Sequence, residues 1–419
     1  MSPASQTRSP TAGTWLLSFF FLGSAAEMLQ AVALLWATYE LTHNAVVVGA
    51  IGAAAHLPGV VLGLALRKKA DAGQAARLLS LTNWVLFAGS SALALVWAAG
   101  LGPGVIIGAF AAVQCSLSVV KTLNKAYVGR FVRQHFAPTH AVRLLARSSA
   151  LSLVGALIGG GASGLLLDTT AADSCFAVAA LLYLLSLVAV RLVTAAPPAV
   201  REVPDSASPP AAPAARTVAR AETPRAEPAD PAGRTRLILL YSIPSSGALP
   251  FISTLMVPLA QSVAPGSGSF YSVLTVTTAF GGFLAGMALS RGTLSAERTL
   301  NIALVAGGAL VACFAATRWP PAVLLLMLVA AVVLTAHVMV MQVLTNQAPP
   351  ADQVGRFSVV RNSVAGSAKA GFSLLAGWLV EAWGLGTAWL VLAVVLALFG
   401  CAWWSVKERS SIEELARVG

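Results

Sequence analysis

The chain has 419 residues, 57% of them hydrophobic and 10% charged, with a net charge of +11. A soluble domain carries about 25% charged residues, and a core alone does not remove that much charge, so lipid is the solvent for much of this surface. A soluble basic chain would suggest nucleic acid; here the charges sit between apolar runs, which excludes that partner.

A bilayer crossing takes roughly 20 mainly apolar residues. After a tail at 1–13, the first half carries such runs at 14–39, 44–66, 76–99, 104–128, 147–167 and 174–194. The opening run exceeds the apolar segment of a secretory signal and lacks a clean cleavage site before the next run. Residues 195–235 are rich in Pro, Ala, Arg and Glu, a composition that reads as a disordered linker. The second half carries runs at 236–261, 269–290, 299–317, 321–345, 359–381 and 386–406, followed by a tail at 407–419. The expected fold is all-α and integral to the membrane, with twelve transmembrane helices in two six-helix bundles, 14–194 and 236–406. Cys115, Cys175, Cys313 and Cys401 lie far apart inside apolar runs and read as small buried apolar residues, not as a metal or disulfide set.

Charge placement tests this layout. Of the 27 Lys and Arg residues, Lys121, Lys125 and Lys369 lie inside spans and Arg318 lies on the outer side. All the others fall in the two tails, the even-numbered loops or the helix ends beside them. That is the bias of the positive-inside rule, with both termini cytoplasmic. A wrong number of spans would scramble it.

The two halves also repeat. Gly59-x-x-x-Gly63-Leu-Ala-Leu-Arg67-Lys68 closes the second span, and Gly282-x-x-x-Gly286-Met-Ala-Leu-Ser290-Arg291 closes the eighth. Arg147-Ser-Ser and Gly164-x-x-x-Asp168 frame the fifth, and Arg361-Asn-Ser and Gly377-x-x-x-Glu381 frame the eleventh. A parallel duplication of six helices is a transporter architecture with its site near the midplane.

With these residues in view, the chain resembles the major facilitator superfamily over nearly its whole length outside the linker. More narrowly it resembles the twelve-helix drug and siderophore exporters of the enterobactin-exporter type. The first span carries the most specific likeness: Glu27, an apolar stretch, Trp36, then Tyr39-Glu-Leu-Thr42. Gly155 to Gly164, including Gly159 and Gly160, resembles the Gly-rich antiporter motif, with Gly160 where proline is usual. The family signature after the second span survives as Gly63 and the basic Arg67, Lys68 and Lys69, with Arg67 in the acidic position. The resemblance implies that this loop governs switching between states and that spans 1, 4, 7 and 10 line a central cavity.

Ionisable groups inside a span are costly and face the interior or a wet cavity. Glu27 lies near the middle of its span, and Lys121 lies about 10 Å from the cytoplasmic end of its run at ~1.5 Å per residue. Gln114, Ser118, Lys121 and Lys125 fall on one helical face, as do Asn362, Gly366, Lys369 and Ser373, and Thr335, Met339, Gln342 and Asn346. Lys121 and Lys369, supported by Lys125, Gln114, Gln342 and Asn362, are the expected contacts of an anionic, oxygen-rich cargo. Glu27 is the expected carrier of the coupling proton. The alternative for Glu27 is a structural bridge to a lysine, and for Lys125 a side chain reaching back to the interface. Gly63, Arg67, Lys68, Gly159, Gly160 and Gly164 are expected to serve packing and gating. His337 lies off the polar row of its helix and reads as core.

The sequence therefore points to proton-coupled export of a small anionic metabolite such as a carboxylate siderophore, from a monomer in a bacterial inner membrane. Macrolide-type drug efflux and organic-anion uptake stay open, since the residues carry no direction. An enzyme is not indicated: there is no HExxH, no GxSxG and no phosphate loop, and no cofactor is implied.

Overall fold

The computed structural model describes residues 7–8, 10–58, 60–61, 75–136, 138–195, 198–199, 231–348, 354–406 and 412–413. Its helices are α1 (Pro10–Thr42), α2 (Ala45–Ala54), α3 (Ala75–Ala98), α4 (Pro103–His135), α5 (Pro138–Thr169) and α6 (Ala172–Ala195). The second half has α7 (Pro231–Val263), α8 (Gly268–Ser290), α9 (Ala296–Cys313), α10 (Pro320–Gln347) and α11 (Val354–Trp404). A two-residue pair, β1 (Thr7–Arg8) with β2 (Pro198–Ala199), runs antiparallel beside the start of α1 and the end of α6.

Helix starts are set by local chemistry. Asn44 Oδ1 accepts from the Val46 and Val47 amides to cap α2, and Ser267 and Ser295 cap α8 and α9 through their hydroxyls. Pro103 and Pro320 open α4 and α10, where the missing N–H removes nothing from the helix. Ten helices among the described residues are long and apolar enough to cross a bilayer. The run 359–404 covers 46 residues, about twice one crossing. Gly384 breaks it with φ 84° and ψ 164°, leaving arms at 354–383 and 385–404. A left-handed φ at this hinge is tolerated because glycine has no Cβ. The expected second span is helix over Ala45–Ala54, and Gly63, Arg67 and Lys68 lie outside the described residues.

Several helices outrun their apolar stretch. α4 continues past residue 128 to His135, and α7 begins at Pro231, inside the segment expected as linker. Residues 200–230 lie outside the described residues. Cys175 is buried as expected, but Cys313 and Cys401 are exposed. Lipid accepts a small apolar side chain as readily as a core does, so burial was not required of them.

The packing order repeats between halves. α1 packs on α5 as α7 packs on α11; α2 meets α4 as α8 meets α10; α3 meets α4 and α6 as α9 meets α10 and the second arm of α11. The halves join along two seams, α5 on α8 and α2 on α11. Among the described residues, contacts across the seams include several on the side opposite the N-terminus. There Trp36 stacks on Tyr271 (centroids 5.7 Å, interplanar angle 21°) and Asp168 Oδ1 accepts from the Ser269 amide at 3.1 Å. Glycines set the spacing. A Cβ at Gly155 or Gly159 would strike the carbonyls of Phe21 and Ala25 in α1, and one at Gly377 would strike the Ala45 carbonyl in α2. Without directional hydrophobic force between helices in lipid, this close approach supplies the packing.

Candidate functional site

Two of the expected residues come together. Glu27 stands near the middle of α1 and Lys121 near the middle of α4, with Lys121 Nζ 3.3 Å from Glu27 Oε1. α4 runs on to His135, past the expected end of its run at residue 128, so Lys121 stands at mid-helix with fourteen helical residues beyond it. The apolar run stops early because Arg130 and Arg133 follow it, yet the backbone stays helical through them. The Glu27 side chain is 54% exposed and that of Lys121 24%. Exposed charges at this depth face a wet interior, since lipid contact would be costly.

Buried polar groups lie on the same helices and on α6. Gln30, on the Glu27 face of α1, is 2% exposed, and neither its amide nitrogen nor its oxygen has a hydrogen-bond partner among the described residues. Tyr183 of α6 packs with Ala26, Leu86 and Leu117, and its hydroxyl is likewise unpartnered among the described residues. Sequence reading missed Tyr183, because a lone tyrosine in an apolar span gives no sign of which helix it faces. On α4, Gln114 is half-buried and Ser118 buried, while the Lys125 side chain lies outside the described residues.

The second half supplies Lys369 from α11. In the row Gly366, Ser373 and Gly377, Ser373 meets Gly49 and Gly52 of α2 and Gly377 meets Ala45 of α2, while Gly366 meets Val60, beyond the end of α2. Phe372 on the neighbouring face covers Gly247 of α7. Lys369 falls between these rows, toward the junction of α2, α7 and α11, and is half-buried. Asn362 is exposed and its Oδ1 receives Arg361 Nη1 at 3.5 Å. Arg361 is 6% exposed, with Nε and Nη2 unpartnered among the described residues. In the sequence it stood out only as one mark of the internal repeat.

The α10 row divides. Thr335 and Met339 rest over Gly282 and Gly286 of α8, and Gln342 is exposed. His337 is buried, as its place off that row suggested. α7 stays helical through Pro244, Pro250 and Pro258. Ser245 beside the first of these is buried with no hydroxyl partner among the described residues.

The glycines of the Gly155–Gly164 stretch divide between two partners. Gly155 and Gly159 face α1, Gly164 faces α8, and Gly160 lies between them, toward Val276 of α8 and Met28 of α1. The Gly160 carbonyl accepts from Ser163 Oγ at 2.6 Å and from Ser272 Oγ across the seam. Among the described residues no three of His, Cys, Asp and Glu cluster to hold a metal. The site is thus an ion pair at mid-depth in one half, a lysine at the junction of the halves, and buried amides and hydroxyls with spare hydrogen-bonding capacity.

The Major Facilitator Superfamily family model matches residues 15–371. No curated protein sequence matches the chain. Among solved structures, a POT family transporter in complex with a thioalcohol-conjugated peptide is similar at a TM-score of 0.70 and 12% identity, covering 96% of this chain and 97% of that one. The inward-open xylose transporter XylE from E. coli is similar at 0.69 and 12%, covering 97% and 99%. The nucleoside transporter NupG is similar at 0.64 and 14%, covering 94% and 100%. At these identities the likeness is one of fold.

Proposed function

Because the chain belongs to the major facilitator superfamily, we propose that it is a proton-coupled secondary transporter of a small organic anion, working by alternating access. Membership makes it a multi-pass membrane transporter rather than an enzyme. The observation that carries the finer reading is the Glu27–Lys121 pair at 3.3 Å. Closure of the seams opposite the N-terminus supports a state open toward the N-terminal side. The charge bias makes that side cytoplasmic, in a bacterial inner membrane. The chain acts as a monomer.

The pair has a defined coupling sign. While Glu27 is ionised it occupies Lys121. A proton on Glu27 breaks the attraction and frees the ammonium for a substrate carboxylate. Proton and anion then favour each other's binding, and linkage makes the preference mutual. A carrier of this kind moves both in the same direction. Lys369 at the junction of the halves supplies a second cationic contact, and Gln30 and Tyr183 supply hydrogen bonds.

A second reading is export, including siderophore or drug efflux. It is favoured by the likeness of the first span, Glu27 through Trp36 to Thr42, to the drug and siderophore exporters. Proton antiport requires the two ligands to exclude each other, which a cationic or neutral cargo competing for Glu27 achieves and an anion held by Lys121 does not.

Proteoliposomes containing a pH dye separate these readings. A citrate gradient, then a panel of other carboxylates, is imposed while internal pH is recorded. Protons following the carboxylate support anion symport. Protons moving against it support export of an anionic metabolite. No response to any carboxylate, with a response to a macrolide, sinks the anion reading in favour of drug efflux.

A further inference from the structure

A groove of about 460 Å³ lies between the start of α3 and the end of α6. Arg77, Ser80, Leu81 and Trp84 line it from α3, and Arg191 and Thr194 from α6. α3 and α6 pack on each other and on helices of their own half, so this wall faces the bilayer and not the second half. We propose that the groove binds the phosphate head group of an anionic membrane lipid.

The layout follows the layers of a membrane leaflet. Arg77 and Arg191 sit at the helix ends on the N-terminal side, where the basic loops gather. Both are exposed, and guanidinium groups match phosphate oxygens with several donors each. Trp84 lies two helical turns deeper, and Arg191 rests over its ring at 5.9 Å from the centroid. Tryptophan at this level is the ordinary anchor of the membrane interface. Below the rim, exposed Leu81, Val85, Leu185 and Val188 continue an apolar track for an acyl chain. Basic pockets between helices on the cytoplasmic side suit anionic head groups.

The second half supplies an internal control. α9 and the second arm of α11 form the corresponding corner, with Arg298 as far into α9 as Arg77 is into α3. There Trp403 Nε1 donates to Asn301 Oδ1 at 2.9 Å and Trp404 Nε1 donates to the Asn301 carbonyl at 3.1 Å. Asn301 stands where α3 has Ser80. Two indoles bonded to an amide close that corner, whereas a serine and an arginine leave its counterpart open and positive.

Native mass spectrometry of the whole protein in detergent tests this, using phosphatidylglycerol and phosphatidylcholine of equal chain length. Two arginines near a charged head group weigh roughly thirtyfold. The wild type should load phosphatidylglycerol about that much better, and Arg77→Gln with Arg191→Gln should remove the preference. Ser80→Trp, which fills the groove and keeps both charges, should block loading too, and it decides the matter should the double variant fold poorly. Arg298→Gln should change nothing. Equal loading of the two lipids by the wild type, undiminished loading by the filled groove, or an equal loss in Arg298→Gln overturns the proposal. Displacement of phosphatidylglycerol by equimolar inorganic phosphate overturns it in favour of a free-anion site.

Discussion

The Asp168 carboxylate accepts the backbone N–H of Ser269 at 3.1 Å, so the last turn of α5 in one half caps the first turn of α8 in the other. A negative charge at a helix N-terminus is worth about 0.5–1 kcal/mol. The neighbouring Gly164 makes the approach possible, since a Cβ there would stand 2.8 Å from Ser269 Cα. Asp168→Asn keeps the shape and removes the charge. Hydrogen exchange of the segment 264–275 should then rise roughly two- to fivefold, as the outer side opens more often. Unchanged exchange would mean that the cap does not hold this side closed.

Glu27→Gln imitates the protonated pair. Lys121 is then permanently released, so anion binding should tighten at neutral pH, up to about tenfold, and lose its dependence on pH. Isothermal titration with the carboxylate that proves active, at pH 6 and pH 8, reads this directly. A variant whose affinity still varies with pH as in the wild type removes Glu27 from the proton pathway.

Lys369→Ala should weaken the same carboxylate by about ten- to a hundredfold, the range for a hydrogen bond to a charged group. Lys369→Arg should keep most of the affinity. The check is transport rate in proteoliposomes at matched protein density. Wild-type rates in the alanine variant would leave Lys369 as a packing element of the junction.

Gly159→Leu and Gly161→Leu form a matched pair. A Cβ at position 159 runs into the Ala25 carbonyl of α1, whereas one at 161 meets nothing within 4 Å. Overpacking costs about 1–3 kcal/mol or more. Folded yield and thermal unfolding in detergent should therefore drop for Gly159→Leu and stay close to wild type for Gly161→Leu. Equal tolerance of both would show that α1 and α5 do not need this contact.

The sequence by itself determined the class of this protein. An 18- to 25-residue apolar run has one stable form in lipid, the helix, so the spans, the duplication and the first-span motif were legible as pattern. It also marked Glu27 and Lys121, because a charge within such a run is conspicuous. It did not show that the two meet. That depended on the depth and rotation at which α4 stands against α1, which hydropathy does not record. Nor did it show Tyr183 packed against Ala26, the buried Arg361, or the separate partners of Gly159 and Gly164. Which residues touch is decided by the rotation and depth of each helix against its neighbours. Those are set by close backbone contacts between segments far apart in the chain, and no periodicity within one span records them.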